Sequence, residues 1–177
     1  RYMVADGLPA LSSLSSRRRG RFNLKGFPMS STQQPPLLLG FMTIFAEGSG
    51  YVGGYLVTNS WGRPLEFRLS TSVQPNKIQQ ILYAETLTEY LCADLIGKTL
   101  IDKTSTPVRL LFVDTLLALP LRSRLEFPVV AVLPKESPEA AQVTEADHRQ
   151  LSHRCSAQPL LFESKFAADE EAIRALL

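Results

Sequence analysis

Apolar positions crowd into one block of the chain, Leu37 to Pro134, where three strand-like runs precede one long helix-like run. Leu37-Leu38-Leu39-Gly40-Phe41-Met42-Thr43-Ile44-Phe45-Ala46 is almost continuously apolar, the pattern of a strand buried on both faces. Glu47-Gly48-Ser49-Gly50 then supplies a turn in which glycine can take positive φ. Tyr51 to Thr58 reads as the returning strand, and the pair Gly53-Gly54 inside it predicts a bulge or a close backbone approach. After a turn at Asn59-Ser60-Trp61-Gly62, Pro64 to Ser70 alternates apolar and polar residues, so one face is expected on the core and one in water. Short turns joining the three make an antiparallel meander.

The period changes at Pro75. Pro75-Asn76 opens a helix expected to run to about Ile96, with Gly97 as its C-cap. At 100° per residue, Ile78, Ile81, Leu82, Cys92 and Ile96 share one face, and Glu85 and Glu89 fall in the middle of it. A carboxylate on an apolar face must be paired, metal-bound or near the rim. Tyr83, Leu87 and Tyr90 lie round the far side, which predicts cover on two sides. Val108 to Asp114 reads as another buried strand ending in an acid, and Phe127 to Leu133 as the last strand of the block. Between them Pro120 limits any helix after Thr115 to about one turn. Right-handed crossovers would make these two strands parallel to the first.

The pattern divides the chain in three. Residues 37–134 are the α/β core domain. Residues 135–177 turn polar and read as a peripheral helical segment, with Ser137 before Pro138 and Thr144 as candidate caps. That segment stops inside a helical pattern, as a truncated chain would. Residues 1–36, with four serines ahead of Arg17-Arg18-Arg19-Gly20-Arg21 and Gln33-Gln34-Pro35-Pro36 behind, read as a disordered or non-native leader, Met29 being the candidate true start.

Composition narrows the function classes modestly. A hydrophobic content of 45% and a charged content of 20% over 177 residues are those of an ordinary globular domain. A net charge of +2 announces neither nucleic acid nor an acidic membrane. The arginines near the start are followed by no apolar signal core, and no run approaches the ~20 apolar residues of a membrane helix. Two cysteines far apart, Cys92 and Cys155, argue against a disulfide framework, so a soluble, cytoplasmic location is expected.

The strand order, three antiparallel strands followed by helix-linked ones over residues 37–134, resembles the ribonuclease H-like fold. That resemblance is one of topology, and it implies two divalent metals held by carboxylates of the first strand, the first helix and the fourth strand. Glu85 or Glu89 then takes the helix position and Asp114 the fourth-strand position. Mg²⁺ suits such a hard oxygen set, and two ions clamp the attacking and leaving oxygens of a phosphodiester. The first strand departs from the pattern: it holds no acid, and Glu47 comes just after it. The competing expectation is ion pairing, with Glu85 and Glu89 against Arg68 or Arg109 and Asp114 capping the Thr115 helix.

Other chemistry is thin. His148, His153 and Cys155 match no strong zinc spacing, and two solvated histidines on a helix are expected. Gly48-Ser49-Gly50 is a hairpin turn, since no GxSxG, GxGxxG or Walker pattern occurs. Tyr51 and Trp61 are either exposed aromatics on the turns or core residues. The leading expectation is therefore a soluble, non-catalytic α/β domain that needs no cofactor and binds another macromolecule, a protein in the first instance, and no membrane. The alternative is a divalent-metal-dependent nuclease or a degenerate relative, with Mg²⁺ as cofactor and nucleic acid as partner. A small-molecule-binding domain is a third reading, resting on Gly53-Gly54.

Overall fold

The computed structural model describes residues 36–177, Cys155 excepted. The leader expected at residues 1–36 thus lies, all but Pro36, outside the described residues, as does Cys155 as a ligand.

Three strands form the meander: β1 (Leu38–Glu47), β2 (Gly50–Asn59) and β3 (Pro64–Leu69). Gly48 and Gly62 take positive φ in the two turns, and Asn59 Oδ1 accepts from the amides of Trp61 and Arg63 to close the second. β4 (Leu110–Val113) and β5 (Val129–Ala131) run parallel to β1. The α/β architecture is thus a mixed sheet of three antiparallel strands followed by helix-linked parallel ones, the arrangement the ribonuclease H-like resemblance implied.

The long helix is segmented. Asn76 and Gln79 form a reciprocal capping box for α1 (Lys77–Tyr83), which then breaks at Ala84, a non-glycine residue at φ 44°. A 3₁₀ turn, α2 (Leu87–Tyr90), a π-helical stretch over Leu91–Lys98 and α3 (Thr99–Asp102) follow. The break rotates the two halves apart, so the single apolar face expected from 78 to 96 does not exist. Cys92 and Ile96 are buried against the sheet, while Ile78, Ile81 and Leu82 project outward, Ile81 at 79% exposure. Gly97 is no C-cap. It lies inside the π-helical stretch, where an added Cβ would sit 2.6 Å from Leu121 Cδ1.

Gly53 shows the close approach its sequence context predicts. A Cβ there would come within 2.2 Å of Ile96 Cγ2, so the helix rests directly on the β2 backbone. The irregularity in the meander lies elsewhere, at Val57/Thr58 opposite the start of β3. After β4, Thr115 Oγ1 caps a nine-residue 3₁₀ helix, Leu116–Arg124, with Pro120 inside it. The expected limit of one turn fails because the fixed φ of proline suits 3₁₀ geometry.

Residues 135–177 depart most from expectation. The 3₁₀ helix Pro138–Gln142 starts at the Ser137 cap, but Thr144 then introduces β6 (His148–Leu151) rather than a helix. β7 (Leu160–Glu163) pairs with both β6 and β5, giving the seven-stranded order β3-β2-β1-β4-β5-β7-β6. The helix α4 (Asp169–Leu176) closes the described chain. Far from peripheral, this segment adds β6 and β7 to the sheet, and α4 covers part of its second face.

Two cores result. On the helical face Met42, Tyr55, Val57, Ala93, Ile96, Leu111 and Leu121 pack together. On the other face Leu110, Val130, Leu160 and Phe162 pack under Ile173 of α4. Between β1 and β3 no such cluster of described residues covers that second face.

Candidate functional site

Strand alternation sets what the uncovered face presents. Even-numbered residues of β1, such as Met42, turn to the helices, so Phe41, Thr43 and Phe45 turn the other way. They are joined there by Leu56, Phe67, Leu69 and Phe112 around a cleft of about 890 Å³. Phe41 and Phe112 stack with centroids 5.0 Å apart across the parallel pair. Gly54 keeps the middle of the cleft open, since a Cβ there would touch nothing closer than Thr43 Cγ2 at 3.6 Å. β1 is therefore not buried on both faces. β3 lacks a buried face altogether: Phe67 is 62% and Leu69 63% exposed.

Polar groups are few in this cleft: Thr43, Asp114, His153 and Ser156. Met42 pairs with Val113, so one residue further Thr43 meets Asp114, and its hydroxyl donates to Asp114 Oδ2. Asp114 Oδ1 is buried and has no hydrogen-bond partner. An acceptor in that state is costly alone, and a donor brought by a ligand would satisfy it.

The carboxylates singled out in the sequence do not share a place. Glu47 ends β1, exposed at the turn. Glu85 lies in the 3₁₀ turn after Ala84 and Glu89 in α2, both exposed on the helical layer. Asp114, through Thr43, belongs to the opposite face of the sheet. Among the described residues no group of three or more Asp, Glu, His or Cys is placed to hold a metal ion. The expected ion pairs are replaced too. Arg68 binds Glu66 of its own strand at 2.7 Å, and Thr115 rather than Asp114 caps the following helix. Glu85 and Glu89 are exposed to water and so need no compensation by a partner.

A smaller polar pocket of about 400 Å³ lies near Glu89, Asp147, His148, Glu163 and Lys165. His148 and Glu163 are cross-strand partners of β6 and β7, and His148 Nδ1 and Glu163 Oε2 are buried without hydrogen-bond partners. Lys165 pairs with Glu163 at 2.8 Å. The helical setting expected for His148 and His153 is thus corrected: one starts a strand, the other follows it into the apolar cleft. Trp61 is the exposed turn aromatic, at 91%, whereas Tyr51 packs on the core. Cys92 is free and buried; burial, then Glu139 and Asp114, push its thiol up to about 11, far from a reactive thiolate.

The near-continuous apolar run of β1 implies burial on both faces and so conceals the apolar lining of the cleft. The available signal was the set of aromatics on one strand parity, Phe41, Phe45 and Phe67, around a glycine.

Neither a protein-family model nor a curated protein matches the sequence. Among solved structures the chain is similar to an endonuclease V from Ciona intestinalis, crystallised with a 23mer DNA containing an inosine followed by a ribo-adenosine. The TM-score is 0.33 at 12% identity, over 76% of each chain. A likeness that slight bears on neither family nor activity. Among the described residues no helix is long and apolar enough to cross a membrane.

Proposed function

We propose that this chain is a non-catalytic α/β domain that binds a protein partner in the cleft on the open face of β1–β3, taking up an apolar segment that carries one hydrogen-bond donor. The observation that carries the reading is the cleft itself, with Phe41, Phe45, Phe67 and Leu69 left exposed beside an unsatisfied Asp114 Oδ1. Contiguous exposed apolar surface rimmed by polar groups is the mark of a macromolecular contact. A small ligand is usually enclosed by its site, whereas this lining remains largely open to water. Nucleic acid is a poor occupant, because among the described residues that line the cleft there is no lysine or arginine to neutralise phosphates. The partner's donor, a lysine or a backbone amide, would reach Asp114.

Selection of displayed peptides against the full chain tests the reading. Apolar peptides should be enriched, with binding reduced at least tenfold by Phe41→Ser and the preference for a donor lost in Asp114→Asn. Absence of any enrichment sensitive to Phe41→Ser refutes it. Stabilisation by Mg²⁺ that disappears in Asp114→Asn would favour the metal-dependent nuclease instead.

A further inference from the structure

Among the described residues the sheet ends on one side at β3, and its outer edge carries an internally complementary sequence. Ser70 donates its amide to Gly53 O at 2.8 Å, so Ser70, Arg68 and Glu66 turn their backbone polar groups toward β2. By the two-residue alternation, Phe67 and Leu69 turn theirs outward. Pro64 and the register shift are confined to the start of the strand, and Glu66 to Leu69 pair regularly with Val57 to Gly54. Such an edge is a template for another strand.

We propose that this strand is a second copy of the chain, paired antiparallel with β3 about a two-fold axis at Phe67. That register sets Phe67 opposite Phe67, Leu65 opposite Leu69, and Glu66 opposite Arg68 in both directions. The run Leu65-Glu66-Phe67-Arg68-Leu69 thus reads as apolar, acid, apolar, base, apolar, and matches itself when reversed. An isologous interface demands this self-complementarity, and a foreign strand would not. The charges lie on the helical face, where Glu66 is already fixed by Ser105 and Thr106 as well as Arg68. Each arginine thereby gains a second carboxylate across the axis. The apolar side chains lie on the cleft face, so pairing covers Phe67 and Leu69 and runs the two clefts together. The inference rests on the backbone edge of β3, and the side chains of Phe67 and Leu69 that it brings together also line the cleft proposed for the partner.

Sedimentation of the full chain across the micromolar range should show a species of twice the 19.6 kDa chain mass. Arg68→Glu sets two carboxylates opposite each other twice and should weaken the dimer by about tenfold or more, with the circular dichroism of the monomer unchanged. Phe67→Cys should oxidise to a symmetric 67–67 disulfide, located by mass spectrometry, because hydrogen-bonded antiparallel partners have Cα atoms about 5.5 Å apart, within disulfide reach. Leu69→Cys, facing Leu65, should not link to itself. A chain that stays monomeric overturns the proposal while leaving peptide binding by the cleft as a separate result. A dimer indifferent to Arg68→Glu that forms no 67–67 link overturns it equally.

Discussion

Gly53 and Gly54 are adjacent in sequence and opposite in consequence. Adding a methyl group at Gly53 drives it to 2.2 Å from Ile96 Cγ2 and 3.1 Å from Leu100 Cδ1. Both neighbours are core residues, Ile96 with no exposed surface, so the methyl group can be accommodated only by lifting the π-helical stretch off the sheet. Overpacking of this kind costs about 1–3 kcal/mol. At Gly54 the methyl group enters the cleft at ordinary contact distance from Thr43, and Gly→Ala inside a strand gains roughly 0.5–1 kcal/mol. The strand gain applies at both positions and cancels between them, so the two variants should differ by about 1–3 kcal/mol, the overpacking alone. Urea denaturation followed by far-ultraviolet circular dichroism measures the difference; Trp61, at 91% exposure, is a poor fluorescence reporter. Combining Gly53→Ala with Ile96→Ala should cost less than the sum of the single changes, since the clash partner is gone. If Gly53→Ala and Gly54→Ala unfold at the same urea concentration, the helix does not rest on the β2 backbone as described.

Two further outcomes follow from the same packing and charges. Ile173→Ala should cost about 2–5 kcal/mol, because Ile173 is fully buried where α4 meets the sheet, and hydrogen exchange should quicken in 160–163 and 169–176 together; a loss confined to α4 would contradict the shared core. Glu66 is held down at about 2 by hydrogen bonds from Thr106, then Arg68 and Ser105, against an ordinary value of 4.5. A depressed carboxylate contributes stability that is full above 4.5 and is lost as the pH falls from there through about 2, so Glu66→Gln should flatten the stability profile in that window. An unchanged acid limb in Glu66→Gln would show that the carboxylate does not tie β3 to the 105–106 loop.

The sequence by itself determined the meander, its two turns, the start of the helix and the two parallel strands. These rest on short-range physics: glycines that take positive φ at 48 and 62, the Asn76 capping box, and unbroken β-branched and aromatic runs. The close approach at Gly53 was legible for the same reason, since a missing side chain in a strand implies a neighbour in its place. What the tertiary structure alone decided was which faces are covered. Nothing local tells that Ala84 breaks the helix and releases Ile78, Ile81 and Leu82 to water, or that Glu85 and Glu89 thereby lose any reason to pair. The short strand Leu160–Glu163 carries too few residues to show a period, and it exists because β6 offers it a ladder and β5 a pairing at Ala131. Once α4 settles over the β4–β5–β7 side of the sheet, no described residue gives the rest of that face comparable cover, and Phe41, Phe45 and Phe67 become a surface instead of a core. Burial is a property of the partner as much as of the residue, so the local pattern of β1 could not say whether Phe41 and Phe45 face a core or water.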